Sequence, residues 1–302
     1  MNAPGPASDS ALPPTMTGPS VVARMLAELL GTFLLVLFGC GAVHTAVLLG
    51  AQSGLWQVAI VWGVAIMLAI YTVGGISGAH INPAITVAFA VIGRHPWRLV
   101  VPYVAGQLAG ALLAAMVLYA LFTGFLAAKE TEKHVVRGEP GSEVTAMCYG
   151  EFFPNPGSIA AAAGPYDAEA HAELRERLSH GGAFLAELLG TLVLALVVCA
   201  VTDETNPARP AAGQAPVFIG LTVSALISVI APLTQACFNP ARDFGPRLFA
   251  VLAGWGKIAL PGGADLSWLS VYIVAPVAGA VLGAVIYQRC LRSAWCSAAG
   301  GS

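Results

Sequence analysis

Residues 237–249 read CFNPARDFGPRLF, and residues 78–89 read GAHINPAITVAF. Both stretches carry Asn-Pro-Ala between apolar runs, and the asparagines Asn82 and Asn239 are 239 − 82 = 157 positions apart. Asparagine is a good N-cap and proline suits the first helical position, so each motif predicts the start of a helix. The two motifs are Asn82, Pro83 and Ala84, and Asn239, Pro240 and Ala241.

Each predicted helix has only about ten to twelve residues before a helix breaker, whereas crossing a bilayer takes roughly twenty. Both are therefore predicted to be half-helices that begin at membrane depth. Irregular backbone at that depth is tolerated only where it is buried in protein or lines a water-filled cavity. The N-terminus of each half-helix carries about half a positive charge. If the two meet at the membrane midplane, they form the polar, cation-repelling centre of a pore.

The composition indicates a membrane protein before any motif is considered. The chain is 57% hydrophobic and 10% charged, with a mean hydropathy of +0.76, which is outside the range of ordinary soluble domains. A net charge of −2 and the lack of a basic run argue against nucleic acid as a partner. The six cysteines show neither zinc spacing nor a secreted disulfide framework. We expect no metal and no cofactor.

The hydropathy pattern predicts an all-α membrane protein with six transmembrane helices and two half-helices. The predicted spans cover residues 21–43, 55–73, 99–121, 184–201, 216–233 and 269–287. The predicted organisation is a disordered cytoplasmic tail (1–20), one channel domain (21–291) and a cytoplasmic tail (292–302). Within the channel domain, repeat one covers 21–121, an extracellular or periplasmic loop covers 122–180, and repeat two covers 181–291.

The two halves are visibly related, because LAELLGT at residues 26–32 recurs at residues 185–191. Three crossings reverse the side on which the chain emerges, so the repeat must be inverted, with its site at the repeat interface near the midplane. The basic residues near short loops all fall on the side of the two termini, whereas the loop at 44–54 has none. Both termini are therefore predicted to be cytoplasmic. These basic residues are Arg24, Arg94, Arg98, Arg209, Arg289 and Arg292.

Four further residues are candidates for chemistry in the pore. Arg242 follows Asn239 by three positions, and a guanidinium at membrane depth is costly enough to suggest a donor that faces the pore. Glu28 and Glu187 occupy matching places in the repeats. They are predicted to be structural buried acids that accept hydrogen bonds from the backbone leading into each half-helix, with a proton relay as the alternative. His80 is predicted to be a pore-lining, hydrogen-bonded imidazole, with a pH gate as the alternative.

Paired Asn-Pro-Ala half-helices in an inverted repeat resemble the major intrinsic protein family of aquaporins and glycerol facilitators. The resemblance covers about residues 21–291. Within the family, Asp243 directly after the pore arginine and Arg247 four positions later are similar to the glycerol-conducting branch. The resemblance implies a passive channel in the lipid bilayer, not an enzyme, and a homotetramer. It implies the cell membrane, or the inner membrane of a Gram-negative cell.

The family's selectivity filter falls, by position relative to the motifs, on Trp62, Ile227, Ala236 and Arg242. Trp62 and Ile227 leave no place for the histidine that narrows strict water pores. The filter then has an apolar side and a donor side, which suits a polyol whose hydroxyls remain paired as it sheds water. Glycerol facilitators usually have glycine at position 227 and an aromatic residue at position 236, so this set is also similar to plant nodulin-26-like channels.

The resemblance implies that solutes pass in single file along backbone carbonyls, while the side-chain amides of Asn82 and Asn239 donate to them at the centre. The carbonyls are those of Gly78, Ala79, His80, Thr234, Gln235, Ala236 and Cys237. Glycerol is the expected permeant, together with water and with urea or neutral metalloid hydroxides as further solutes. The alternatives are a strict water channel, a proton-coupled secondary transporter that uses Glu28 or Glu187, and a non-conducting structural member of the same fold.

Overall fold

A computed structural model describes residues 18–260 and 266–295 of the chain. Most of the two predicted tails, at 1–17 and 296–302, lies outside the described residues. Six helices are long and apolar enough to cross a membrane, and two short helices begin at the Asn-Pro-Ala motifs. The predicted fold class is confirmed.

The first repeat consists of α1 (Val21–Leu49), α2 (Leu55–Ser77), α3 (Pro83–Val91) and α4 (Val100–Glu132). The segment between the repeats contains α5 (Glu143–Ala146), α6 (Gly157–Ala161) and α7 (Ala168–Glu176). The second repeat consists of α8 (His180–Val201), α9 (Ala215–Thr234), α10 (Pro240–Ala250) and α11 (Ser267–Trp295). Within α11, Ser270–Val274 and Tyr287–Arg292 have π-helical hydrogen bonding.

The third and sixth spans are longer than the hydropathy pattern predicts. Helix α4 continues to Glu132 because the polar side chains of its last turns are paired: Lys129 contacts Glu132 at 3.0 Å, and Glu130 contacts Arg137 at 2.9 Å. Helix α11 continues to Trp295, so residues 292–295 of the predicted C-terminal tail are helical. The apolar window therefore marks where a span is hydrophobic and does not mark where its helix ends.

The half-helices connect the two repeats. Helix α10 packs against α4 of the first repeat, and α3 packs against α11 of the second, while α2 and α9 contact each other across the repeat interface. Within each repeat the first and last spans pack closely, α1 on α4 and α8 on α11. Each half-helix therefore packs against the last span of the opposite repeat.

Glycines allow the close packing of the first and last spans. A Cβ on Gly110 would lie 2.1 Å from the carbonyl oxygen of Leu29, and a Cβ on Gly279 would lie 2.2 Å from that of Leu188. Because those neighbours are backbone atoms, no side-chain rearrangement could relieve the clash. The same contact recurs in the two repeats, so the inverted repeat extends to the helix interfaces.

Candidate functional site: a pore between the two half-helices

Both half-helices begin as the sequence predicts. The Asn82 side-chain oxygen accepts from the N–H of Ala84 at 2.9 Å, and that of Asn239 accepts from the N–H groups of Ala241 and Arg242 at 3.0 and 3.3 Å. A proline occupies the first position of each helix. Each asparagine is therefore held as an N-cap, with its amide nitrogen directed away from its own helix.

The amide nitrogens join the two half-helices. Asn82 Nδ2 donates to the carbonyl of Phe238 at 2.9 Å, and Asn239 Nδ2 donates to the carbonyl of Ile81 at 2.8 Å. Each amide group has two N–H bonds. One N–H of each asparagine thus fixes the opposite repeat, which leaves one N–H available to a solute.

The backbone before each half-helix is strained. Residues other than glycine adopt positive φ there, including Ala79 at 50°, Ile81 at 45°, Ala236 at 63° and Phe238 at 51°. A residue held in such a conformation costs of order 1–3 kcal/mol and persists only when its surroundings over-determine it. Side chains elsewhere in the protein must therefore hold these approaches in place.

Glu28 holds the first approach. Its carboxylate is fully buried and accepts from the N–H groups of His80 and Ile81 at 2.9 and 2.6 Å. The Ser77 hydroxyl donates to it at 2.6 Å, and the Gln107 amide donates at 2.7 Å. The carboxylate therefore has donors on both oxygens and lies behind the pore wall.

Glu187 does the same for the second approach. It accepts from the N–H groups of Cys237 and Phe238 at 3.0 and 2.9 Å and from the Thr234 hydroxyl at 2.6 Å. The Thr234 carbonyl, which the sequence predicts to line the pore, accepts from the Tyr272 hydroxyl at 3.3 Å, and the residue is fully buried. Thr234 supports the backbone before the second half-helix. It does not line any of three cavities that lie along the pore.

Those three cavities lie in line along the half-helix junction. An inner cavity of about 560 Å³ is on the side of the predicted cytoplasmic residues, and an outer cavity of about 500 Å³ is on the side of the long loop. A constriction of about 40 Å³ separates them. Of the residues with predicted carbonyls, Gly78, Ala79 and His80 line the inner cavity, Ala236 and Cys237 line the constriction, and Gln235 lines the outer cavity.

The four predicted filter residues come together at the constriction. Trp62, Ile227, Ala236 and Arg242 all line it, together with Asn82 and Asn239 from the half-helix starts. The guanidinium carbon of Arg242 lies 4.6 Å from the centre of the Trp62 ring, a distance at which a cation and an aromatic face attract each other. Trp62, on the apolar side of the filter, therefore contacts Arg242, on its donor side.

Arg242 has an acidic partner that the sequence did not reveal. Its side chain is 3% exposed, one guanidinium nitrogen donates to the carbonyl of Tyr149 at 2.8 Å, and another lies 2.5 Å from Glu151 Oε1. Glu151 is 1% exposed and lines the outer cavity. Burial raises the pKa of Glu151, and the Arg242 guanidinium opposes that rise. The filter therefore combines a cationic donor with a carboxylate.

Asp243 and Arg247 position Glu151. They form an ion pair at 2.5 Å, and both are fully buried. Asp243 accepts from the N–H of Glu151 at 2.7 Å, and Arg247 donates to the carbonyl of Glu151 at 2.5 Å. The Asp243–Arg247 ion pair thus holds the backbone of Glu151, the loop residue that contacts Arg242.

His80 lines the inner cavity, as the sequence predicts. Its Nδ1 lies 3.2 Å from the Thr86 hydroxyl, and its ring packs edge-on against Phe89 and against a second histidine, His95, at centroid distances of 5.1 and 4.6 Å. No group of three or more potential metal ligands occurs among residues 18–260 and 266–295. The polar groups of the described site are amides, carbonyls, the imidazole of His80 and the buried ion pairs Arg242–Glu151 and Asp243–Arg247.

Comparisons with known proteins give the class of molecule to which this site belongs. The model of the major intrinsic protein family matches residues 15–287. The glycerol uptake facilitator of Haemophilus influenzae is 38% identical over 90% of this chain and 95% of its own length, and that of Pseudomonas aeruginosa is 39% identical over 89% of each. The propanediol uptake facilitator of Citrobacter freundii is 39% identical over 89% of this chain and 92% of its own.

Among solved structures, the aquaglyceroporin of Plasmodium falciparum superposes with a TM-score of 0.74 at 23% identity, covering 94% of this chain and all of that one. At this identity the likeness concerns the fold alone. The chain belongs to the major intrinsic protein family. It is a multi-pass membrane protein of a channel family.

Proposed function

We propose that the protein is a passive glycerol channel that also conducts water. Three relatives at 38–39% identity are named as uptake facilitators, two for glycerol and one for propanediol, so the solutes in these three names are small polyols. The observation in the structure that best supports the proposal is the constriction, where Trp62 and Ile227 lie with Arg242 and no imidazole occurs among the described lining residues.

The constriction suits a polyol because its polar groups lie beside apolar ones. Trp62 and Ile227 contact the CH edge of the solute, while Arg242 donates to its hydroxyls. Glu151 adds an acceptor on the outer side, since its Oε2 has no hydrogen-bond partner among the described residues. A glycerol hydroxyl both donates and accepts, so this pair can replace two of the hydrogen bonds that glycerol loses as it sheds water.

The half-helix junction supplies the next contacts along the pore. The one N–H that each of Asn82 and Asn239 keeps free donates to the solute oxygen, and two helix N-termini and Arg242 repel cations there. A proton therefore meets a positive electrostatic barrier at the point where water would otherwise relay it. No covalent step is involved, so the protein acts as a channel and not as an enzyme.

Glu28 and Glu187 favour a channel over a proton-coupled transporter. Both carboxylates are fully buried, both accept two backbone N–H groups, and neither lines the three pore cavities. A coupling carboxylate has to exchange protons with the pathway. These two instead serve, in our proposal, as structural acids that hold the strained approaches.

The proposed setting follows the sequence. Residues 21–291 act as one channel domain in the cell membrane, or in the inner membrane of a Gram-negative cell, with both termini in the cytoplasm and the long loop outside. Arg24 and Arg94 line the same cavity, which is consistent with both lying on one side of the membrane. A homotetramer is the proposed assembly. Urea and neutral metalloid hydroxides are proposed as further permeants because they are small, neutral and rich in hydrogen-bonding groups.

The direct test is stopped-flow light scattering on proteoliposomes that contain the purified protein. A glycerol gradient should give rapid shrinkage followed by rapid re-swelling, at rates well above those of empty liposomes and without saturation or dependence on a proton gradient. Flux that saturates and follows the proton gradient would favour the coupled transporter instead. A lack of flux for glycerol and for water would favour a structural member of the fold.

A further inference from the structure

Basic side chains outnumber acidic ones in the described lining of the inner cavity. Arg24, Arg94, His80 and His95 all line it, and its described lining contains no aspartate or glutamate. Its volume of about 560 Å³ is within the range of small-molecule sites. A cavity with this charge attracts anions.

The two arginines differ in their partners. Arg94 lies 3.2 Å from Asp203, so its charge is balanced by a carboxylate. Arg24 has no carboxylate partner among the described residues; its Nε donates to the carbonyl of Pro19 at 3.0 Å, and its side chain lies beside Tyr103. Arg24 is therefore the uncompensated cation of the cavity.

His95 provides an independent sign of a ligand. It is 7% exposed, and its Nε2 has no hydrogen-bond partner among the described residues. The ring packs between His80 and Tyr103 at centroid distances of 4.6 and 4.5 Å. Burial lowers the pKa of His95; a hydrogen bond with the Leu99 backbone opposes this, and the charge of Arg24 adds to it. A neutral imidazole nitrogen without a partner therefore belongs to the wall of a basic cavity, where it can accept a proton or a hydrogen bond.

We propose that the inner cavity binds the phosphate monoester of a small polyol, with the phosphate between Arg24 and His95. Arg24 contributes charged N–H donors, and one proton is shared between the phosphate and His95 Nε2. The polyol end then points towards Asn82 and Asn239, which line the deep end of the same cavity. That part of the assignment rests on the proposed glycerol function. A bound monoester occupies the pathway and slows flux from the inner side.

Sharing a proton makes the binding depend on pH. The charged and titratable groups that face His95 are Arg24 on α1, His80 before α3 and Tyr103 on α4, with Arg94 on the same loop. The second pKa of a phosphate monoester is about 6. In the complex, the shared proton is held by both the phosphate and His95, so the complex takes up this proton at a higher pH than the free monoester or the free imidazole does. Affinity should rise from pH 8 to pH 6, and replacement of His95 should remove the rise.

The test is isothermal titration calorimetry on the purified full-length protein, with glycerol 3-phosphate, inorganic phosphate and sulfate as probes. Glycerol 3-phosphate should bind at least several-fold more tightly than the two inorganic ions. Arg24→Gln should weaken its binding at least tenfold, and His95→Asn should abolish the pH dependence. Arg24 is partly exposed at the start of α1, so its variant keeps the test valid if the His95 variant fails to fold. Arg209→Gln is the matched control, because Arg209 is exposed and does not line the cavity.

Three results would overturn the proposal. If Arg209→Gln weakens binding as much as Arg24→Gln does, the binding is diffuse attraction of counter-ions and not a site. If inorganic phosphate and glycerol 3-phosphate bind with equal affinity, the cavity does not recognise the polyol end of the ligand. Binding that persists in nanodiscs of neutral lipid but disappears in those rich in phosphatidylglycerol would identify a lipid-headgroup site. The glycerol flux assay is independent of these results: flux without phosphate binding refutes only this site, whereas phosphate binding without flux refutes only the channel proposal.

Discussion

Replacing Glu151 by glutamine tests the proposed role of the acid in the filter. The change preserves the size of the side chain and removes its charge, 2.5 Å from Arg242 in a site where both residues are at most 3% exposed. Removing one partner of a buried ion pair costs about 3–5 kcal/mol, so the variant should be less stable. The Arg242 guanidinium would keep the Tyr149 carbonyl and would face a neutral amide in place of the carboxylate.

The effect on flux follows from the loss of a charged acceptor. A hydrogen bond to a charged group contributes about 1.5–3 kcal/mol, and about 1.4 kcal/mol corresponds to a tenfold change in rate. Glycerol permeability should therefore fall roughly 10- to 100-fold in Glu151→Gln. It should be measured by stopped-flow re-swelling and normalised to the amount of folded protein found by size-exclusion chromatography.

Glu143→Gln is the matched control for this experiment. Glu143 is also a buried loop acid, paired with Arg175 at 3.0 Å, but it lines neither the constriction nor the two large pore cavities. Its replacement should leave glycerol permeability unchanged. If Glu151→Gln conducts glycerol within twofold of the wild type at equal folded amounts, Glu151 has no role as an acceptor for the solute.

Gly110→Ala should lower stability by about 1–3 kcal/mol, seen as a lower melting temperature in detergent, because its Cβ would lie 2.1 Å from a backbone oxygen. Gly124→Ala on the same helix meets nothing within 4 Å and should not lower it. Arg242→Ala should raise water, urea and proton leak in proteoliposomes; unchanged permeabilities would mean that the filter lies elsewhere. A mercurial should block the pore through Cys237, which lines the constriction. Cys237→Ser should remove the block and Cys290→Ser should not; a wild-type channel that resists the mercurial would contradict this.

The local features of the fold could be predicted because their causes are local. Asparagine before proline specifies a helix start at positions 82 and 239, and the cap hydrogen bonds follow from that choice. The repeat of LAELLGT marks the paired acids Glu28 and Glu187, and three crossings per repeat require inversion. The ends of α4 and α11 could not be predicted from hydropathy, since paired charges continue α4 beyond the apolar window.

Glu151 could not be predicted because its role depends on distant contacts. It lies 242 − 151 = 91 positions before Arg242, in a loop with no periodic pattern, and its backbone is held by Asp243 and Arg247. Charges in a long loop carry little topological information, so the sequence hardly distinguishes this acid from the exposed acids of the same loop, such as Glu169 and Glu173. The one available signal is that Glu151 directly precedes the apolar pair Phe152 and Phe153.

The filter itself is tested most directly by comparing wild type with the double variant Trp62→Phe and Ile227→His in the same stopped-flow assay, using a glycerol gradient and a non-permeant osmolyte. We predict fast glycerol re-swelling in the wild type and its loss in the variant, with water flux retained, because an imidazole at position 227 narrows the constriction. Fast water flux without glycerol flux in the wild type would contradict the polyol channel and identify a strict water channel.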